Sequence, residues 1–404
     1  MVWEDMLSGH NQDSRQLIAM KSEVIHIINE TLSHPEAERK LSDLNIISII
    51  QLVEAEIMGC YDEVVSVHLL GLEEMIWRRG GLLKLGGQGT VAAMTAAIVY
   101  LDAIIRERLP TRMFLDYCVP YLHPVPIDHF VWESPVYCPR AEFLSAAGTA
   151  VCSKATLELL RKLCHVTDAY LYHTKYGFEA VGSTSFGDRR QYKCARANQH
   201  VALSEQNSNM FNEVYGYIFA LEPSEDAVYE CIRLVSLVYI FAITHRIPFS
   251  RAGQAPAVLA AFARKGNMNS IHQPSTFPQS SARVQRADIP LALLSSLNQT
   301  DIQGMWSELA GTLHWFLLVA AATAHPLSSR PTSQFYGEQN TDRAFTLAGY
   351  SGNTDTGREH ERQTWVRKCL SSHACRIAIR LGFQCPTSTV IAQRRLLGIQ
   401  ELLG

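Results

Sequence analysis

Charge is scarce in this 404-residue chain: Asp, Glu, Lys and Arg together make up 19%, against about a quarter in an average globular protein. The two signs nearly balance, leaving a formal net charge of -3. Such a balance excludes a general positive field that gathers phosphates, because neutralising a nucleic-acid backbone takes clustered Lys and Arg. Long hydrophobic runs are missing too. The longest uncharged one, LAGTLHWFLLVAAATA at 309–324, is shorter than the ~20 residues that cross a bilayer and is interrupted by His314. A second apolar run, VYECIRLVSLVYIFAI at 228–243, holds Glu230 and Arg233, which hydrocarbon penalises. No membrane span is expected.

Closely spaced cysteines are also absent. The chain has ten, but Cys60, Cys118, Cys138, Cys152, Cys164, Cys194 and Cys231 are far apart, and the gaps between Cys369, Cys375 and Cys385 suit no metal hairpin. The opening MVWEDMLSGHNQD carries Glu4 and Asp5 and no apolar stretch, unlike a secretory signal, so an intracellular, reducing compartment is expected and the thiols read as small buried side chains. Catalytic signatures fail on their letters. Ser185 lacks the first glycine of a nucleophile elbow, Gly349–Gly352 reads GYSG, and His360-Glu361 lacks a second His four positions after the first. The adjacent Cys164 and His165 fall about 100° apart on a helix rather than on one face. GQGTVA from Gly87 imitates a dinucleotide fingerprint without the strand that must precede it.

What is present is helix after helix, with 47% apolar residues, no strand alternation and no internal repeat. Ser33 and Glu36 have capping-box spacing with Pro35 near the first turn, so a helix is expected to start there. Ile46, Ile49, Ile50, Val53 and Ile57 recur at threes and fours, with Gly59 as a stop. A following helix sets Val64, Val67, Leu72, Met75 and Ile76 on one side and ends at Arg78-Arg79-Gly80-Gly81, where cations and glycine suit a helix C-terminus. Thr90 is expected to cap a third helix reaching about Arg108, before Pro110. Further helices are predicted near 153–176, 208–221, 225–246, 255–265, 289–324, 358–382 and 388–402. Irregular loops are predicted near 119–139, 266–285 and 325–357. The expected fold is an all-α array of about ten helices, with a tail and short helix over 1–32 and one helical domain over 33–404.

The segment HLLGLEEMIWRRGGLLKLGGQG at 68–89, followed by the helix holding Asp102, resembles the signature of the fungal-specific transcription factor domain. EDAVYECIRLVSLVYIFAITHRIPF at 225–249, LAGTLHWFLLVAAATAHP at 309–326 and REHERQTWVRKCL at 358–370 agree with it in order, with Trp315 and Trp365 at the family's tryptophan positions. The resemblance implies an α-helical regulatory region in a nuclear regulator of metabolic genes. Such a region works through dimer contacts, partner proteins or, in some members, a small molecule. The family's DNA-binding module holds two zinc ions through six cysteines in a short basic stretch, and nothing in residues 1–404 has that spacing. The resulting expectation is a non-enzymatic regulator without direct DNA binding or cofactor; the alternatives are a small-molecule-sensing helical module, a truncated regulator that has lost its zinc cluster, and an enzyme with an unrecognised site. The regulator's expected partners are a DNA-binding transcription factor or a second copy, with a small apolar ligand as a further candidate.

Two groups of side chains stand out. His68, Arg79 and Asp102 are read as a polar staple rather than a catalytic set, with Asp102 accepting hydrogen bonds from Arg79 or nearby turn amides, since a buried carboxylate needs such partners. Arg362, Lys368, Arg376 and Arg380 lie away from the stripe Val366, Leu370, His373, Ile377 and Leu381. They form a basic face that is either solvated or a contact for an acidic partner or phosphates. Arg189, Arg190, Lys193 and Arg196 raise the same question in a loop.

Overall fold

A computed structural model describes residues 13–117, 132–139, isolated positions between 143 and 153, and 154–182, 209–263, 288–326 and 354–403. Among these residues the protein is all-α with no strand. The helices are α1 (Arg15–Ser33), α2 (Ala37–Lys40), α3 (Asp43–Gly59), α4 (Asp62–Arg78), α5 (Thr90–Ile105), α6 (Arg112–Leu115), α7 (Lys154–Gly182), α8 (Ala227–His245), α9 (Phe249–Ala252), α10 (Pro256–Ala263), α11 (Ile289–Leu297), α12 (Ala310–Thr323), α13 (Thr354–Gln384) and α14 (Pro386–Leu402). A further helix spans 209–220. The chain divides into two compact units, one within Met1–Trp132 and Phe316–Leu397, the other within Glu133–Trp315 and Gly398–Gly404.

In the first unit α3 packs on α4 and α5, α13 packs on α3 and α5, and α1 lies against α3. The predicted stripe of α3 is buried at all five isoleucine and valine positions, and Cys60 closes the helix in the left-handed conformation. Capping differs from expectation at two places. Ser33 ends α1 rather than starting a helix, its hydroxyl donating back to the Asn29 carbonyl at 2.8 Å, and the caps are Ser14 for α1 and Ser42 for α3. A hydroxyl caps only when its own backbone is extended, as at Ser42 with ψ 152°. Likewise Thr90 is already helical, and Gly89, at φ +87°, is the residue before α5. That helix stops at Ile105 because Glu107 turns left-handed, with Arg108 N–H donating to the Ala103 carbonyl at 2.9 Å.

In the second unit α8 is buried on nearly every side and is touched by α7, α9, α10 and α11. Its two charges neutralise one another: Arg233 donates twice to the Glu230 carboxylate, at 2.7 and 2.9 Å, with both side chains 2% exposed. Tyr239 stacks near Phe249, meets Trp315 edge-on at 5.2 Å, and shares a 2.8 Å hydrogen bond with Thr167. The predicted helix over 289–324 is two, α11 and α12, separated by a turn in which the Trp306 indole donates to Thr300 at 2.9 Å.

Among the described residues, two helices are long and apolar enough to cross a membrane, Gly87–Ile105 and Ala227–His245, and 78% and 83% of those windows are buried within the protein. The expected loops at 266–285 and 327–353 lie outside the described residues, as do 119–131 and Arg189, Arg190, Lys193 and Arg196.

Candidate interaction surface

Helix α4 carries most of the segment singled out in the sequence, and both of its ends are held by charge. At its start, the Asp62 carboxylate accepts two hydrogen bonds from Arg367 Nη2 of α13, at 2.6 and 2.7 Å, and His325 Nε2 stands 3.5 Å away. Burial alone would raise the Asp62 carboxyl, but His325 and Arg367 outweigh it and hold the group well below the usual carboxylate range. One turn further on, Arg106 of α5 donates through Nη1 to the Asp62 carbonyl at 2.7 Å and to Ser66 Oγ at 2.9 Å. Its Nη2 meets Asp102 Oδ2 at 2.5 Å, in a pair whose side chains are 1% and 2% exposed.

The staple joining α4 to α5 therefore exists, but with different members. The guanidinium that meets Asp102 is Arg106, one helical turn along α5, and not Arg79. Arg79 instead pairs with Asp43 Oδ1 at 2.8 Å and donates to the Leu41 carbonyl. The Asp43 carboxylate also accepts the Gly86 N–H, at 3.1 and 3.2 Å, which ties the turn after α4 to the start of α3. His68 belongs to neither group. Its Nε2 is buried without a hydrogen-bond partner, and burial pushes its pKa down, against the pull of nearby Glu56 and with the push of Lys21.

The C-terminal end of α4 is a Schellman closure. Gly80 N–H donates to the Trp77 carbonyl and Gly81 N–H to that of Ile76, both at 2.9 Å, with Gly80 at φ +97°. Inward, α4 buries Val65, Ser66, Leu69, Leu72, Met75 and Ile76. Val64 and Val67, expected on the buried side, are instead 41% and 65% exposed. They continue through Leu70 at 37% to Trp77 at 70%, on the face opposite the core. The helix thus has two apolar stripes offset around one axis, and only one is covered. Leu83, in the turn that follows, is 71% exposed. A Cβ added at Gly71, in the middle of the outward face, would meet nothing within 4 Å. A rigid helix showing tryptophan and aliphatic side chains to water is a surface a partner can cover.

The basic set on α13 is less uniform. Arg362 is exposed and pairs with Glu359 at 2.8 Å. Lys368 is half-buried, its ammonium 5.5 Å from the centre of the Tyr61 ring. Arg376 and Arg380 are exposed. The stripe from Val366 to Leu381 is buried as expected. Sequence reasoning missed Arg106, Asp62, Arg367, Asp43 and Trp77. The first had a readable signal, an Asp and Arg four apart on an apolar helix, whereas the Asp62–Arg367 pair joins residues far apart in the chain.

Among the described residues no group of three or more His, Cys, Asp or Glu side chains could hold a metal ion. No disulfide joins the described cysteines, and Cys118 and Cys194 lie outside the described residues. Comparison with protein-family models, with curated proteins and with solved structures finds no match.

Proposed function

We propose that this chain is a non-enzymatic regulator of transcription, nuclear in location, that acts through protein contacts made by its helical domain, with DNA reached through a partner. The observation that carries the contact part is the outward face of α4, where Trp77, Val67 and Leu70 stand in solvent on a helix held at both ends by ion pairs. The transcriptional part is supported by the resemblance of 68–89 and of the later tryptophan-bearing helices to the fungal regulatory domain. The two supports overlap in one stretch of chain, since HLLGLEEMIWRRGG contributes the resemblance together with Leu70 and Trp77 of the exposed face.

The test is to fuse residues 1–404 to an unrelated DNA-binding domain and to measure a reporter in a fungal host. Activation or repression is expected; an inert fusion that captures no nuclear partner would count against the reading. A small apolar ligand is the companion proposal. Saturation at a hundred times its dissociation constant adds about 2.7 kcal/mol, so a panel of lipophilic metabolites that leaves the melting temperature unmoved would remove it.

A further inference from the structure

We propose that the outward face of α4 is a self-association surface, occupied by the same face of a second copy of this chain lying antiparallel across it. This rests on reading the face as a contact surface, but not on the transcriptional role.

Val67, Leu70 and Trp77 share one seam of α4 with Glu63 and Glu74, the five following one another at intervals of four, three, four and three, a spacing that keeps all of them on one side of the helix with three apolar contacts and two acids. All five are exposed, which confines the seam to the uncovered side of α4.

Charge then selects the direction. The acids Asp62 and Glu63 open the helix and Arg78 closes it. A parallel pair would set Glu63 beside Glu63 and align the two helix dipoles. An antiparallel pair related by a two-fold axis near Gly71 sets Glu63 of each copy toward Arg78 of the other and opposes the dipoles. The same operation brings Trp77 over the aliphatic N-terminal half, Val64 and Val67, so that the large side chain meets small ones. It places Leu70 beside the bare backbone at Gly71, where no side chain of the same copy stands within reach. Glu63 has no ion pair of its own among the described residues, while Arg78 bonds only to the exposed Glu74, at 2.7 Å. Across the axis Arg78 would exchange its solvent-exposed bond to Glu74 for one to Glu63 of the second copy.

One crossed helix pair is at the low end of specific interfaces, so a reversible dimer with a dissociation constant on the order of 10 µM is expected. The measurement is sedimentation equilibrium of the full 404-residue chain over a concentration series reaching about 100 µM, with far-UV circular dichroism to confirm folding. Wild type should shift from monomer to dimer. Trp77→Ala should weaken the dimer at least about tenfold, a loss usual for a large aromatic anchor at an interface. Glu63→Arg should do the same by setting like charges together, and Glu63→Arg with Arg78→Glu should restore dimerisation. The inference is overturned if wild type stays monomeric throughout, if it dimerises equally well after Trp77→Ala, or if the double exchange fails to recover what Glu63→Arg loses. A dimer that behaves as expected, fused to a DNA-binding domain yet silent on the reporter, would leave this inference standing and remove the transcriptional reading.

Discussion

Replacing Asp102 with Ala removes the carboxylate that stands 2.5 Å from the Arg106 guanidinium, itself only 1% exposed. Arg106→Met removes that guanidinium from the buried Asp102 and also drops the bonds to Ser66 Oγ and the Asp62 carbonyl. Breaking a buried pair by removing one partner costs about 3–5 kcal/mol, whereas exchanging both members for apolar residues of similar volume is often near neutral. Arg106→Met should fall at the upper end, because each lost hydrogen bond adds about 1 kcal/mol. Asp102→Leu with Arg106→Met should cost less than either single change. For a unit of this size, about 2–4 °C of melting temperature accompanies each kcal/mol, so the singles should melt about 6–20 °C below wild type. The assay is urea unfolding followed by far-UV circular dichroism, with all three variants and wild type at one pH. Singles costing less than about 1 kcal/mol, or a double equal to their sum, would refute the claim that this pair is what joins α5 to α4.

Three further outcomes are expected. Asp62 is held below its ordinary range, so its contribution is fully present above about pH 4 and is lost as the pH falls further; stability measured from neutral to strongly acid pH should show a drop that Asp62→Asn abolishes. Glu54 runs the other way: burial raises its pKa from 4.5 to about 7, so it costs stability increasingly as pH rises from about 4.5 to 7. Glu54→Gln should therefore stabilise the protein by about 1–3 kcal/mol at pH 8 and by almost nothing at pH 4, in paired thermal melts. A Cβ at Gly86 would lie 2.1 Å from Asp43 Oδ2. Gly86→Ala should break the Asp43–Arg79 junction and cost about 1–3 kcal/mol, and denaturant midpoints indistinguishable from wild type would show that the junction adapts.

The helices were legible because apolar residues recur every three or four positions, and α3 and the buried stripe of α13 follow that rule residue by residue. The same rule misplaced Val64 and Val67, for an instructive reason. Periodicity reports that α4 has apolar stripes, and α4 has two; which of them faces the core depends on how α4 packs against its neighbours. Caps failed where a serine or threonine had the right neighbours but the wrong backbone, as at Ser33 and Thr90. The staple was half legible. That Asp102 on an apolar helix must find a cation follows from the cost of burying charge, but the sequence alone does not choose between Arg79, beside the glycine turn, and Arg106, four residues after Asp102 at the end of α5. Pairs such as Asp62–Arg367 depend on tertiary contact and leave no local signal.

The central claim is that the outward face of α4 carries the regulatory contact. Its most direct test is the reporter fusion of residues 1–404 compared with the same fusion bearing Trp77→Ala and Val67→Glu. Both side chains are solvent-facing, so the variant should melt within about 1 °C of wild type. The account predicts a fusion that alters reporter output and a variant, equally stable and equally abundant, that loses most of that effect. Output unchanged by the double substitution would contradict it.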